Sequence, residues 1–350
     1  MRGAFARAAA TLRWGSVVAA AVALTAAVAG ATPTPPALPL KDNLYGTKFI
    51  DAQRGWVVGA FGSIARTTDG GQTWQSQVSR TTQQLYDVDF TDAKNGWIVG
   101  RSGLILHTTD GGTTWEPQNS GVDKHLFSVN FVDAQYGVAV GDWGAIVVTR
   151  DGGQHWENHS LDDDVVLYDV AMVDRTRGWI AGEVGTVLTT ADGGQTWTKQ
   201  PTGIDKTLFG IYFADAERGW VVGIDALILH TTDGGQTWQV QHGSTEIRAL
   251  EQVGIAQAYD NPSLYAVSVV GTMGVAVGEI GAIYLSNDGG QTWTRHESGR
   301  TASGPKWFRA VSLVPGTHGA IVGAEGARVL VVEGGLEPQN GGARAAEAVH

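Results

Sequence analysis

Thr68-Asp69-Gly70-Gly71-Gln72-Thr73-Trp74 decides the fold, because near-identical copies follow at 41-residue intervals with their aspartates at Asp110, Asp151, Asp192 and Asp233. A sixth copy stands at Asp288, 55 residues after Asp233, and a remnant at Glu333-Gly334-Gly335. Self-similarity at this period means supersecondary units stacked on a shared core. The repeat therefore predicts one domain over residues 44–336, although 350 residues could hold two or three.

Each unit reads as four short strands. In the second copy Leu85-Tyr86-Asp87-Val88-Asp89-Phe90 alternates, and Thr91 to Asn95 is a turn. Gly96-Trp97-Ile98-Val99-Gly100 is almost continuously apolar, Arg101-Ser102-Gly103 turns, and Leu104 to Thr108 is a third strand. Asp110-Gly111-Gly112 turns again, and Trp115 opens a polar fourth strand. No helical period occurs inside the repeat. The expectation is an all-β, seven-bladed β-propeller of four-stranded antiparallel blades. Its first strands begin at Leu44, Leu85, Leu126, Leu167, Leu208, Leu264 and Phe308. The outer strand of the seventh blade comes either from Leu336-Glu337-Pro338-Gln339 or from Ala37-Leu38-Pro39-Leu40, with residues 337–350 otherwise a tail.

Composition agrees, since glycine (49) and tryptophan (13) are abundant and proline is sparse, as many short strands and tight turns require. Arg2, Arg7 and Arg13 precede the small-residue apolar stretch Trp14 to Ala29, and Ala27-Val28-Ala29 or Ala29-Gly30-Ala31 supplies a cleavage pattern. Residues 1–30 are thus expected to be a signal peptide, and residues 31–43 a Pro-rich linker or closing strand. The net charge of −11 falls to −14 without the leader, which excludes a general nucleic-acid role. Without cysteine, neither a lipid anchor on that residue nor a disulfide is possible. Export under these conditions suits a bacterial periplasm or a thylakoid lumen.

The repeated phrase is an Asp-box, or BNR repeat. Its aspartates accept hydrogen bonds from turn amides, its glycines permit positive φ, and its tryptophans cover the hairpin. The pairs are Asp69 and Trp74, Asp110 and Trp115, Asp151 and Trp156, Asp192 and Trp197, Asp233 and Trp238, and Asp288 and Trp293. Six equivalent carboxylates on separate blades cannot converge on one substrate, so their expected role is structural. Function belongs to what the repeat leaves variable. The turns between second and third strands carry Phe61, Arg101, Asp142 with Trp143, Glu183, Asp225, Glu279 and Glu325, an acidic, aromatic-dotted face for a basic or amphipathic segment. The opposite face carries Arg54, Lys94, Arg177 and Arg218, each close to Asp51, Asp92, Asp174 or Asp215. The period breaks between Gln241 and Ser263, where Ile247, Arg248, Leu250 and Val253 lie in a helix-prone insertion suited to partner binding. A second break holds Arg295, His296, Arg300 and Lys306.

Enzyme chemistry finds little support. A sialidase needs an arginine cluster and a tyrosine nucleophile, and Phe308-Arg309-Ala310-Val311 is only a faint echo of the sialidase arginine motif. Xyloglucanase-like propellers use paired aspartates across two larger domains. His107 and His230 are repeat equivalents, and the nine histidines show no metal spacing. No catalytic residue, metal or cofactor is expected.

Gly55-Trp56-Val57-Val58-Gly59-Ala60-Phe61-Gly62-Ser63-Ile64 followed by Thr67 to Trp74, with Gly-Trp-x-x-Gly again at Gly96, Gly178 and Gly219, resembles the Ycf48/Hcf136 family of photosystem II assembly factors. The resemblance implies an exported propeller without catalytic residues. It implies a scaffold for newly made reaction-centre proteins, monomeric outside the complex. It also implies a basic patch toward the D1 subunit, for which Arg54, Arg177, Arg218 and Lys94 are the candidates. Similar proteins in bacteria without photosystem II imply a second possibility, an accessory of an envelope transporter.

Overall fold

The computed structural model describes residues 40–246, 261–296, 300–301, 304–316, 318–332 and 335–339. Seven four-stranded antiparallel sheets follow one another, each with its strands laid side by side in chain order. The inner strands are Leu44–Phe49, Leu85–Phe90, Leu126–Phe131, Leu167–Met172, Leu208–Phe213, Leu264–Val270 and Phe308–Val314. This is the expected seven-bladed, all-β propeller. A short hairpin of Arg300–Thr301 with Gly304–Pro305 precedes the seventh blade.

Every blade is packed between two neighbours, so its second strand is buried on both faces. The core is accordingly divided among clusters between adjacent blades. The Gly-Trp step organises several of them. Trp56 stacks on Phe90 of the next blade with ring centroids 3.6 Å apart, and its Nε1 donates to the Gly111 carbonyl at 3.1 Å. Trp97 repeats this with Phe131 and Gly152, and Trp179 with Phe213 and Gly234. One side chain thus fastens both the inner strand and the hairpin of the following blade.

The hairpin is a closed hydrogen-bond circuit. Asp69 accepts the amide and hydroxyl of Thr73 at 2.9 and 2.6 Å and the hydroxyl of Thr67 at 2.8 Å. Thr67 Oγ1 in turn accepts the amide of Gly71, which sits at φ 89° where a side chain would be strained. Asp192 stands in the same circuit, and the Thr196 hydroxyl and amide hold its pKa down to about 2 despite partial desolvation.

Blade seven takes its outer strand from Gly335–Gln339, paired with Arg328–Val332. The propeller therefore runs to Gln339, past the boundary expected at 336. Pro338 is tolerated because it lies on an outermost edge, where no ladder partner needs its amide. Among the described residues no strand is shared between the two chain ends. Side chains close the ring: the Phe49 amide donates to Ser312 Oγ and the Glu325 amide to Asn43 Oδ1, both at 2.9 Å. Leu44, Phe49 and Trp74 then pack with Val314, Val322 and Leu330. Residues 1–39 and the insertion at 247–260, with Arg248 and Leu250, lie outside the described residues.

Candidate functional site

In every blade the first amide of the turn between second and third strands donates to the residue just before the inner strand, as Ala60 does to Asn43, Arg101 to Gln84 and Asp142 to His125. These turns and the start of each inner strand therefore share one face, with the central channel opening among them.

Each turn has a tip residue in the left-handed region: Phe61, Ser102, Trp143, Val184, Asp225, Ile280 and Glu325, with φ between 51° and 61°. Bulky and β-branched residues are costly there. Yet Phe61, Trp143 and Val184 are 73, 58 and 61% exposed. Phe61, Trp143 and Val184 are thus the exposed apolar members of a turn that takes this conformation in every blade.

The acidic character expected of this face is largely consumed internally. Glu183 accepts the Val166 amide at 3.0 Å. Glu279 accepts the Ser263 amide at 3.1 Å and the Tyr265 hydroxyl at 2.8 Å. Asp225 pairs with Lys206 at 2.5 Å and Glu325 with Lys306 at 3.0 Å. Asp142 sits just before the tip, beside Trp143, whose ring carries the Lys124 ammonium 5.4 Å from its centroid. Four of the seven tips are apolar, Phe61, Trp143, Val184 and Ile280, and the charged tips Asp225 and Glu325 are paired with lysines. On the opposite face Arg54 pairs with Asp51, Arg177 with Asp174 and Arg218 with Asp215, each three residues apart. These arginines are balanced where they stand and do not form a bare basic arc.

The channel mouth was not anticipated as a site. The second residue of each inner strand is Tyr45, Tyr86, Phe127, Tyr168, Phe209 or Tyr265, and successive rings touch with centroids 5.0 to 6.1 Å apart from Tyr45 round to Tyr265. Arg309 takes the seventh place, its guanidinium 5.0 Å from the Tyr265 ring centroid. The signal was present as an aromatic following Leu44, Leu85, Leu126, Leu167, Leu208 and Leu264.

Deeper in the channel, Asp87, Asp89 and Asp169 solve a backbone problem. An inner strand is an edge strand, and its free amides need acceptors. Asp87 accepts the Val129 amide at 3.0 Å, Asp89 the Phe131 amide at 2.6 Å and Asp169 the Ile211 amide at 2.9 Å, each from the next blade. Asp89 also pairs with Lys48 at 2.7 Å, and burial, which alone would lower the Lys48 pKa, is outweighed by that partner. The Ser128 hydroxyl lies 2.7 Å from Asp169 and 3.2 Å from Asp87. Burial pushes Asp87 up to about 7 and Asp169 up to about 6, against the amides that favour their charge.

These raised values bind protons in the folded state that the unfolded chain releases. The stabilisation is complete below about pH 4 and is lost as pH rises through about 6 and 7. Hairpin aspartates such as Asp69 and Asp110 are held low and act in the reverse sense, losing stability as pH falls below about 4. Stability should therefore peak near pH 4 and fall by about 1–2 kcal/mol as pH rises from there to about 7, with solvent access from the mouth limiting the loss. Denaturant midpoints across this range check it; a curve flat from pH 5 to 8 contradicts the burial of Asp87 and Asp169.

Among the described residues no cluster of three potential metal-ligating side chains occurs, and no helix is long and apolar enough to cross a membrane. No curated protein matches the chain in sequence. A solved structure of YCF48 bound to D1 peptide is similar, with 22% identity, a TM-score of 0.67, and 84% of this chain aligned to 95% of that one. YCF48 from Cyanidioschyzon merolae is 22% identical, with a TM-score of 0.64 over 85% of this chain and 97% of that one. The GH74 xyloglucanase from Xanthomonas campestris has a TM-score of 0.66 at 14% identity, over 86% of this chain and only 55% of that enzyme. At these identities the likeness establishes the fold. The family model described as photosynthesis system II assembly factor YCF48 matches residues 32–118, 115–200, 160–248 and 201–306. Because those matches span most of its length, the chain belongs to the YCF48 family of photosystem II assembly factors.

Proposed function

We propose that this protein is an exported, non-enzymatic scaffold that holds an exposed segment of a membrane protein while the membrane complex assembles. The observation that carries this reading is the rim of left-handed apolar tips, Phe61, Trp143 and Val184, around an aromatic channel mouth. A related propeller bound to a D1 peptide supports the use of the fold for a polypeptide segment. Export rests on the basic and apolar leader of residues 1–30. The non-enzymatic reading is supported by the carboxylates nearest the channel centre, Asp87 and Asp169, whose oxygens are occupied by backbone amides.

The partner segment is amphipathic, with apolar side chains for the tips and backbone or polar groups facing the neutralised turns. Capture from detergent-solubilised membranes of the source organism tests this. The wild-type protein should retain a membrane protein, and the double variant Phe61→Asp with Trp143→Asp should retain at least about tenfold less, as loss of central apolar anchors does elsewhere. Both positions are exposed, so the variant keeps its melting temperature. Equal recovery by wild type and variant would move the contact to another surface. Recovery of no membrane protein at all would overturn the scaffold reading.

A further inference from the structure

Arg309 is the one cationic member of the channel ring, and it is chemically incomplete. Its guanidinium lies over Tyr265, whose hydroxyl is fixed by Glu279 at 2.8 Å. Among the described residues it has no hydrogen-bond acceptor and no ion-pair partner. Five N–H donors therefore border a channel cavity of 340 Å³. Arg309 is half-buried; burial lowers its pKa, while the Asp169 and Asp87 carboxylates nearby favour its charge.

The nearby carboxylates do not supply the acceptor. Both oxygens of Asp87 take backbone amides, from Val88 and Val129, and both oxygens of Asp169 take those of Val170 and Ile211. Neither makes a hydrogen bond to Arg309, although each attracts its charge from nearby. The guanidinium is left facing the space between the rings, with an edge suited to a planar two-oxygen acceptor.

We infer that the central channel is a binding site for a small organic carboxylate with an apolar or aromatic body, its carboxylate paired with Arg309 and its body against the Tyr45, Phe209 and Tyr265 rings. The cavity has the size of a small-ligand site, with aromatic rings at its mouth and a polar floor that includes Lys48, Asp87, Asn130 and Asp169. The site lies inside the rim proposed for the partner segment but does not depend on that proposal.

The site has a proton switch beneath it. Asp87 is faced by Asp89 from its own strand, by Lys48 from blade one, by Ser128 and Asp169 from blades three and four, and by Arg309 from blade seven. An anion placed on Arg309 disfavours charge on Asp87, which takes up a proton. Binding is consequently tighter at about pH 6 than at about pH 8.

Titration calorimetry of the purified protein with 3-phenylpropanoate and its neutral amide tests the inference. The acid should bind at one site and the amide about tenfold or more weaker, as loss of a charge-assisted contact requires. Arg309→Gln should weaken the acid by a similar factor, while Arg309→Lys retains part of the affinity. A free acid and a chain-terminal carboxylate share this chemistry, and a tetrapeptide ending in phenylalanine separates them. Binding of 3-phenylpropanoate identifies a free-acid site, whereas binding of the tetrapeptide alone identifies a chain terminus. Equal affinity for acid and amide, unchanged affinity in a folded Arg309→Gln variant, or no binding of either carboxylate would each overturn the site. Should Arg309→Gln fail to fold, the acid and amide compared on the wild-type protein still decide it.

Discussion

Replacing Trp97 by alanine should lower the unfolding free energy by about 3–5 kcal/mol, the range for removing a fully buried large aromatic. Trp97 has no exposed surface. It stacks on Phe131 of the next blade at 3.6 Å and on His107 of its own at 4.7 Å, and it donates to the Gly152 carbonyl. The alanine variant loses the apolar contacts on both sides and opens a cavity between blades two and three. Gly152 still accepts from Gln118 at 3.0 Å, so its carbonyl is not orphaned, and the cost is chiefly one of packing. Trp97→Phe separates the parts, since it keeps a ring in the stack and forfeits the hydrogen bond, for about 1 kcal/mol. Trp143→Ala is the control, exposed on the rim and expected to change stability by no more than about 0.5 kcal/mol. Guanidinium midpoints of the three variants give the comparison. A Trp97→Ala variant as stable as Trp143→Ala would mean that the layers between blades do not hold the ring together.

The Trp97 contacts also mark what could be read from the sequence. The 41-residue phrase carried the hairpins, the four strands and the count of seven, because each is local to one repeat and its turn chemistry is written in adjacent residues. Contacts between blades were not legible in that way. Trp56 meets a glycine carbonyl 55 residues on, and Asp87 meets an amide 42 residues on. Reading one blade alone, Asp87 and Asp89 are polar members of an alternating strand; only the neighbouring blade reveals the edge amides that need them. The acidic turns misled for a related reason. Glu183 and Glu279 precede the tips and turn inward to the chain entering their own blade, whereas the tips themselves are Val184 and Ile280. The aromatic ring needed no structure in principle, since aligning the repeats places Tyr45, Tyr86, Phe127, Tyr168, Phe209, Tyr265 and Arg309 in one column. What alignment lacks is the bulge beside that column, between Leu85 and Asp87 for example, which turns these side chains toward the mouth.

The same bulge sets up the second large effect. Gly141→Ala should destabilise the protein by about 3 kcal/mol or more, at the upper end for overpacking, because the obstacle is backbone and cannot swing aside. A methyl group on Gly141 would stand 1.7 Å from the His125 carbonyl oxygen, 2.7 Å from its carbon and 3.0 Å from the Leu126 Cα. The pairing register shifts between Val140 and Gly141, which draws the start of the inner strand across this glycine. The equivalent Gly59 and Gly100 have extended φ of −170° and −165°, so the requirement is for space and not for a left-handed backbone. To admit the methyl, His125 and Leu126 must retreat. That weakens the Asp142 amide bond to His125 at 3.1 Å and lifts Leu126 from a fully buried position. Gly121→Ala is the matching control, since its Cβ meets nothing within 4 Å and its φ of 74° alone costs about 1 kcal/mol. Thermal and denaturant midpoints should rank Gly141→Ala well below Gly121→Ala, and equal losses would dismiss the close approach. Because Leu126 precedes Phe127 of the aromatic mouth and Asp142 precedes Trp143 of the rim, the displaced segment joins the two parts of the proposed binding face. Any Gly141→Ala protein that does fold should therefore lose partner capture and channel binding together, while Gly121→Ala keeps both.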